Sequence, residues 1–322
     1  AEDVLVQYTG ATALTAQTLE VGTLSYTFDT DIAANTIAFA VTGFAANVSN
    51  FVSVSGDIGF RKSGTDVVAI GNNVSAELAA GGSVYVRLAG ADFGLLLTAT
   101  DTAFELKNGS FEASLAGFVT ISAESVLVQY TGASALPAQT LTIGALSYTF
   151  DADIAANTVA FAADGVDASV SGFVRLEGSL AFSKATGDFV VTDATSHTST
   201  TLAGVDYLEV GGTLGSGFAG VGSVGFTLTD LTFGAVLASD TNGTPADTAD
   251  DTDYLALKVD VGSAALTGIE GLTASVTSLS VVVNKTSSES TPNKVLDFVD
   301  TVAETNDTDN AASSRAIATG LE

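Results

Sequence analysis

The chain has 322 residues, 37 Asp and Glu against 10 Lys and Arg, a net charge of −27, and no cysteine. That charge excludes nucleic acid and anionic membrane surfaces as partners, because both are held by basic patches. The missing thiols exclude a disulfide framework and a thiolate metal centre.

Charged residues make up only 15% of the chain while 46% are hydrophobic. Such a composition suits many short strands with Thr, Ser and Asp in the turns better than it suits helical surfaces. Apolar runs fall short of the roughly 18 residues that span a bilayer, so no membrane insertion is expected. Methionine is absent and Ala1-Glu2-Asp3 resembles an internal sequence, so the chain reads as a piece of a longer repeat protein, closed by a Leu321-Glu322 cloning scar.

From the first residue the chain announces a long repeat. Ala1-Glu2-Asp3-Val4-Leu5-Val6-Gln7-Tyr8-Thr9-Gly10 returns as Ala123-Glu124-Ser125-Val126-Leu127-Val128-Gln129-Tyr130-Thr131-Gly132, and 32 of the first 40 positions are identical at an offset of 122. Residues 10–36 and 132–158 then form the same insertion in both copies. Beyond it runs a shorter period of about 34 residues. Segments beginning at Phe51, Val84, Phe118 and Phe173 alternate apolar and polar residues, the pattern of half-buried strands, with a mid-segment Gly or small residue where a strand can bend.

Six such units start near residues 39, 69, 104, 161, 208 and 255. Allowing one slip at the bend, the alternation predicts Val52, Val54, Ile58 and Phe60, with Val174, Leu176, Leu180 and Phe182, facing inward and Asp57 and Arg61 facing out. The domain reading is a first long repeat over 1–122, a second enlarged by insertions over 123–285, and a polar tail over 286–322.

Little in the sequence favours catalysis, and no enzyme is expected. The single histidine, His197, lies in a polar loop, and grouped basic residues are lacking. Cation binding is the sharpest site reading. Asp29 and Asp31 recur as Asp151 and Asp153, and a second loop carries Asp240, Asn242, Asp247, Asp250, Asp251 and Asp253. Alternate carboxylates on a loop can aim oxygens at a hard ion such as calcium, which takes six to eight of them. The competing reading makes the same side chains turn caps that accept backbone N–H groups, or a solvated loop.

The long repeats, the Ala/Val/Gly/Thr-rich alternating strands, the acidity and the absence of cysteine together resemble the repeat regions of very large bacterial exoproteins. These include filamentous-haemagglutinin-like and calcium-binding-repeat adhesins. The resemblance implies a secreted or cell-surface protein used in adhesion or cell–cell contact. The expected partners are neighbouring repeats and cell-surface glycans or proteins, and the alternative function is a calcium- or glycan-binding module acting through the inserted loops 10–36, 132–158 and 239–253. The expected fold is all-β: a β-solenoid of about six main coils with inserted loops, each coil burying its inner face against the next. The alternative is a string of β-sandwich domains.

Overall fold

A computed structural model describes residues 1–49, 51–193, 195–196, 198–244, 250–288 and 293–297. Every regular element among them is a strand. The first repeat opens with β1 (Val4–Tyr8), a hairpin of β2 (Gln17–Val21) and β3 (Leu24–Phe28), and β4 (Thr36–Val48). Four more long strands follow: β5 (Val52–Ser63), β6 (Asp66–Ala79), β7 (Val84–Leu97) and β8 (Thr102–Leu115). The second repeat begins within β9 (Val119–Thr131) and carries its own hairpin, β10 (Gln139–Ile143) and β11 (Leu146–Phe150). After it come β12 (Val159–Val170), β13 (Val174–Asp193), β14 (Ser199–Val221), β15 (Val224–Asp240), β16 (Thr252–Thr267) and β17 (Ala274–Thr286). A short β18 (Lys294–Leu296) pairs with the end of β13.

The long strands form a 14-stranded antiparallel sheet in the order β1-β4-β5-β6-β7-β8-β9-β12-β13-β14-β15-β16-β17, with β18 off that path. The two small hairpins, β2–β3 and β10–β11, are separate two-stranded sheets. The alternating segments of the short period fall on β5, β7, β9 and β13, so one period is a pair of long antiparallel strands. The bends expected within those strands are present. The β5–β6 register slips between Ser55 and Asp57, and the β13–β14 register slips between Glu177 and Gly178. Gly56 and Gly178 occupy equivalent positions there with φ of 135° and 159°. A Cβ at Gly56 would come 2.7 Å from Val74 Cα, and one at Gly178 would come 2.0 Å from the Thr213 carbonyl oxygen. Only glycine fits a bend that brings two backbones this close.

The chain packs as two compact units, residues 1–112 with 128–155, and residues 113–127 with 156–322. Packing and sequence repeat are therefore offset. The hairpin β10–β11 lies in the second repeat by sequence and in the first unit by contact.

In the first unit, cross-strand rows place Ala38, Arg61, Val68 and Leu96 side by side, with Ala40, Gly59, Ile70 and Gly94 in the next row on the same face. This small-residue face is the one that is covered, and Ala38, Ala40, Val68 and Ile70 are buried in the core. The opposite face carries Phe39, Phe60, Ala69 and Leu95. The inward reading of Phe60, Val174, Leu176 and Phe182 is thus corrected: Phe60 is 41% exposed and the other three 37%, while Arg61 lies on the covered face. Side-chain size misleads here because the covering element brings the bulk itself.

In the second unit the covered patch is built differently. The far ends of β13 and β14, through Phe189, Val191 and Val205, cluster with Val236, Ala238, Tyr254 and Ala256 of β15 and β16 and with Leu296 of β18. The patch here is covered by an extension of the sheet's own strands.

Candidate functional site

The most specific arrangement in the molecule is the hairpin β10–β11 on the sheet of the first unit. Gly144 at φ 60° turns two five-residue strands back on each other. Alternation then puts Leu141, Ile143, Leu146, Tyr148 and Phe150 on one face, and all five are buried. They meet Ala38, Ala40, Val68, Ile70 and Ala103 of the sheet. At roughly 1.5–3 kcal/mol per buried side chain, this face contributes on the order of 10 kcal/mol before ordering costs.

The fit relies on glycines beneath the large rings. A Cβ at Gly94 would lie 2.3 Å from the Tyr148 ring, and one at Gly59 would lie 3.2 Å from Leu146.

Polar groups fix the register. Tyr148 Oη donates to Glu105 Oε1 at 2.7 Å, and Gln129 Nε2 donates to Glu105 Oε2 at 2.6 Å. Lys107 Nζ stands 3.5 Å from Glu105 and 4.9 Å from the Tyr148 ring centre, donates to the Thr149 carbonyl at 2.7 Å, and pairs with Asp151. Asn72 Nδ2 donates to the Ser147 carbonyl at 3.0 Å. Glu105 is buried, and it is satisfied from the hairpin, from β9 and from its own strand. Burial first, and then the hydrogen bond to Glu105 and its charge, push the Tyr148 phenol far above its ordinary range.

The first hairpin is the same object without the sheet. Its strands pair in the same register, from Gln17 opposite Phe28 to Val21 opposite Leu24. Tyr26 and Phe28 meet edge to face at 5.1 Å, as Tyr148 and Phe150 do at 5.2 Å. Thr18 and Thr27 share a 2.9 Å hydrogen bond, matched by Thr140 and Thr149 at 3.0 Å. Yet Tyr26 is 65% exposed against 3% for Tyr148, and Val21 is 76% exposed against 2% for Ile143.

The acidic residues singled out by sequence take several positions. Asp31 accepts the Ala16 N–H at 2.7 Å and Asp153 the Ala138 N–H at 2.8 Å, so both close the base of their hairpin. Asp151 pairs with Lys107, and its twin Asp29 is exposed. In the longer loop, Asp240 accepts from the Asn242 N–H at 3.0 Å, Asp250 accepts from the Thr244 hydroxyl at 2.8 Å, and Asp253 accepts from the Ser239 hydroxyl at 2.7 Å. Asn242 donates to Thr252 Oγ1 at 3.3 Å, and Asp251 is half-buried beside these residues. Asp247 and His197 lie outside the described residues. Among the described residues no three carboxylates or imidazoles converge as a metal-holding group.

Elsewhere too, aspartates serve the backbone. Asp57 accepts from Gly43 at 2.8 Å and Asp92 from Asn73 at 2.9 Å, each at a strand bend. Asp193 accepts from the Ser196 and Thr195 N–H groups, which hold its carboxyl below the usual range.

Sequence reasoning passed over Glu105 and Lys107 as site residues. The signal was available, since an acidic and a basic side chain stand two apart in the alternating run Ala103-Phe104-Glu105-Leu106-Lys107 and so share a face with Ala103. Compared with known families, curated proteins and solved structures, the chain matches none.

Proposed function

We propose that the chain is a structural, adhesive segment of a very large secreted or cell-surface repeat protein, built to be extended by addition of like units. The observation that carries this is the hairpin of the second repeat seated on the sheet of the first unit. A sequence repeat whose core is completed by the repeat that follows it is the working principle of an array, and the finer expectation of a solenoid rests on the same principle. The charge of −27 supports exposure to a salty exterior, where it keeps such a chain soluble. Antibodies raised against the chain should decorate intact cells of the source organism or recover the protein from the medium. Recovery from the cell interior alone would overturn this reading.

A second reading is glycan binding, favoured by a cleft of about 660 Å³ in the second unit. Lys184, Tyr207, Tyr254 and Lys285 line it together with Leu208 and Leu237. Aromatic and apolar walls with a few polar groups are the usual make-up of a small-ligand site. A glycan array separates this reading from the purely structural one.

A further inference from the structure

We infer that the hairpin β2–β3 is a docking element whose occupant is the sheet of a further copy of the 122-residue repeat, joined ahead of residue 1 in the same polypeptide. The inference deepens the structural-segment reading, on which it rests. Two features point to it.

The first is the uncovered face. Leu19, Leu24, Tyr26 and Phe28 are identical to Leu141, Leu146, Tyr148 and Phe150, and Val21 is one methylene smaller than Ile143. The polar complement is retained as well. Tyr26 carries the hydroxyl that Tyr148 gives to Glu105, and Asp29 stands where Asp151 pairs with Lys107. The hairpin already holds the internal geometry of its seated twin, so docking requires no refolding of it.

The second is the uncovered edge. β1 is the counterpart of Val126–Tyr130 within β9, and β9 lies between β8 and β12 in the sheet. β1 ends the strand order and pairs with β4 alone among the described strands. Val4 is accordingly exposed where Val126 is buried. The face of the hairpin and the edge of β1 lack the same neighbour, a sheet ending in a strand like β8.

The occupant follows from what is already covered. The sheet of the first unit already holds the hairpin of the second repeat, and the apolar patch of the second unit is covered by the ends of β13 and β14 with β18. A second molecule therefore offers no free face of this kind. A repeat placed ahead does, because the sheet of the first repeat takes its cover from the repeat that follows it.

The test uses the absence of cysteine. Residues 1–122 are fused directly ahead of residue 1, so that Ser122 precedes Ala1 as it now precedes Ala123. Leu24→Cys and Leu146→Cys are then made singly in the original and the extended chain, and the rate of thiol labelling is measured. In the original chain Leu24→Cys should label like a free thiol and Leu146→Cys at least about a hundredfold more slowly. In the extended chain Leu24→Cys should slow to the rate of Leu146→Cys. Unchanged fast labelling there, with Leu146→Cys still protected, overturns the inference.

Protection that appears in the original chain as concentration rises, together with a dimer in sedimentation, overturns it in favour of a second molecule. Should the extended chain fail to fold, Thr142→Glu, Ile143→Val and Ala145→Thr together give the second hairpin the strand and turn sequence of the first. That variant should still protect Leu146→Cys, and an opened hairpin would count against the inference. Neither failure bears on where the protein is located, so the structural-segment reading is tested separately by the antibody experiment.

Discussion

Tyr26 and Tyr148 occupy the same place in two copies of one hairpin, and the sheet beneath the second makes them different residues energetically. Tyr148→Ala removes a buried ring and leaves Glu105 short of a donor, so it should cost about 3–5 kcal/mol in urea unfolding. Tyr26→Ala should stay within about 0.5 kcal/mol, as for a surface change. Equal losses at the two positions would mean that the cover contributes nothing.

The phenol gives a pH test. Its folded pKa is raised, above about 10 for the unfolded chain, so above that pH the unfolded state binds fewer protons. The contribution is complete below about pH 10 and is lost as pH rises beyond it, with a slope approaching about 1.4 kcal/mol per pH unit. Tyr148→Phe should make the alkaline limb of the stability curve shallower. An unchanged limb would place the responsible proton elsewhere, with Tyr254, whose phenol is also raised by burial, the first alternative.

At the scale of elements, the fit of hairpin to sheet depends on what the sheet omits. Gly94→Ala would push a methyl group into the Tyr148 ring, which Glu105 and Lys107 hold in place, and should destabilise the first unit by about 1–3 kcal/mol. Gly59→Ala meets only the side chains of Leu146 and Ile143 at 3.2–3.3 Å and should cost less. The reverse order in thermal melts would contradict the seating described.

This is also the level at which sequence reading succeeded and stopped. Alternation located the long strands and mid-strand glycines marked bends such as Gly56, because period and backbone freedom are local properties. Which face would be covered was not legible, since Phe60 outweighs Gly59 in any single strand. The deciding bulk comes from Tyr148 and Phe150, which lie about 90 residues further along the chain. The identical hairpin sequences carried no mark of their different environments, because burial is decided by a partner and not by the segment itself. Among the acidic residues the turn-capping reading was the legible one for Asp31 and Asp153, whose spacing from Ala16 and Ala138 is the same in both copies.

At the scale of the whole molecule, charge of one sign prevails, with 37 acidic side chains against 10 basic ones. Self-repulsion of this size opposes the compact state and is screened over about 8 Å at physiological ionic strength. Thermal stability should therefore rise as sodium chloride is raised from low to moderate concentration. Calcium raises ionic strength too, so only a comparison with magnesium at matched ionic strength separates screening from a site. A stoichiometric calcium site would add RT ln(1 + [L]/Kd), about 2.7 kcal/mol at a hundredfold excess over Kd. That is enough to move a melting midpoint by several degrees.

Of the nominated aspartates, Asp31 and Asp153 already accept backbone N–H groups, Asp250 accepts a hydroxyl and Asp151 pairs with Lys107. A cation would compete with Lys107 for Asp151, and elsewhere would have to fit on the carboxylate oxygens that these hydrogen bonds leave open. The expected outcome is equal melting curves in the two cations and no saturable heat on calcium titration. A calcium-specific shift abolished by Asp250→Asn together with Asp253→Asn would assign a binding function to the loop between β15 and β16. A shift that survives those changes but falls with Asp29→Asn and Asp151→Asn would assign it to the hairpins.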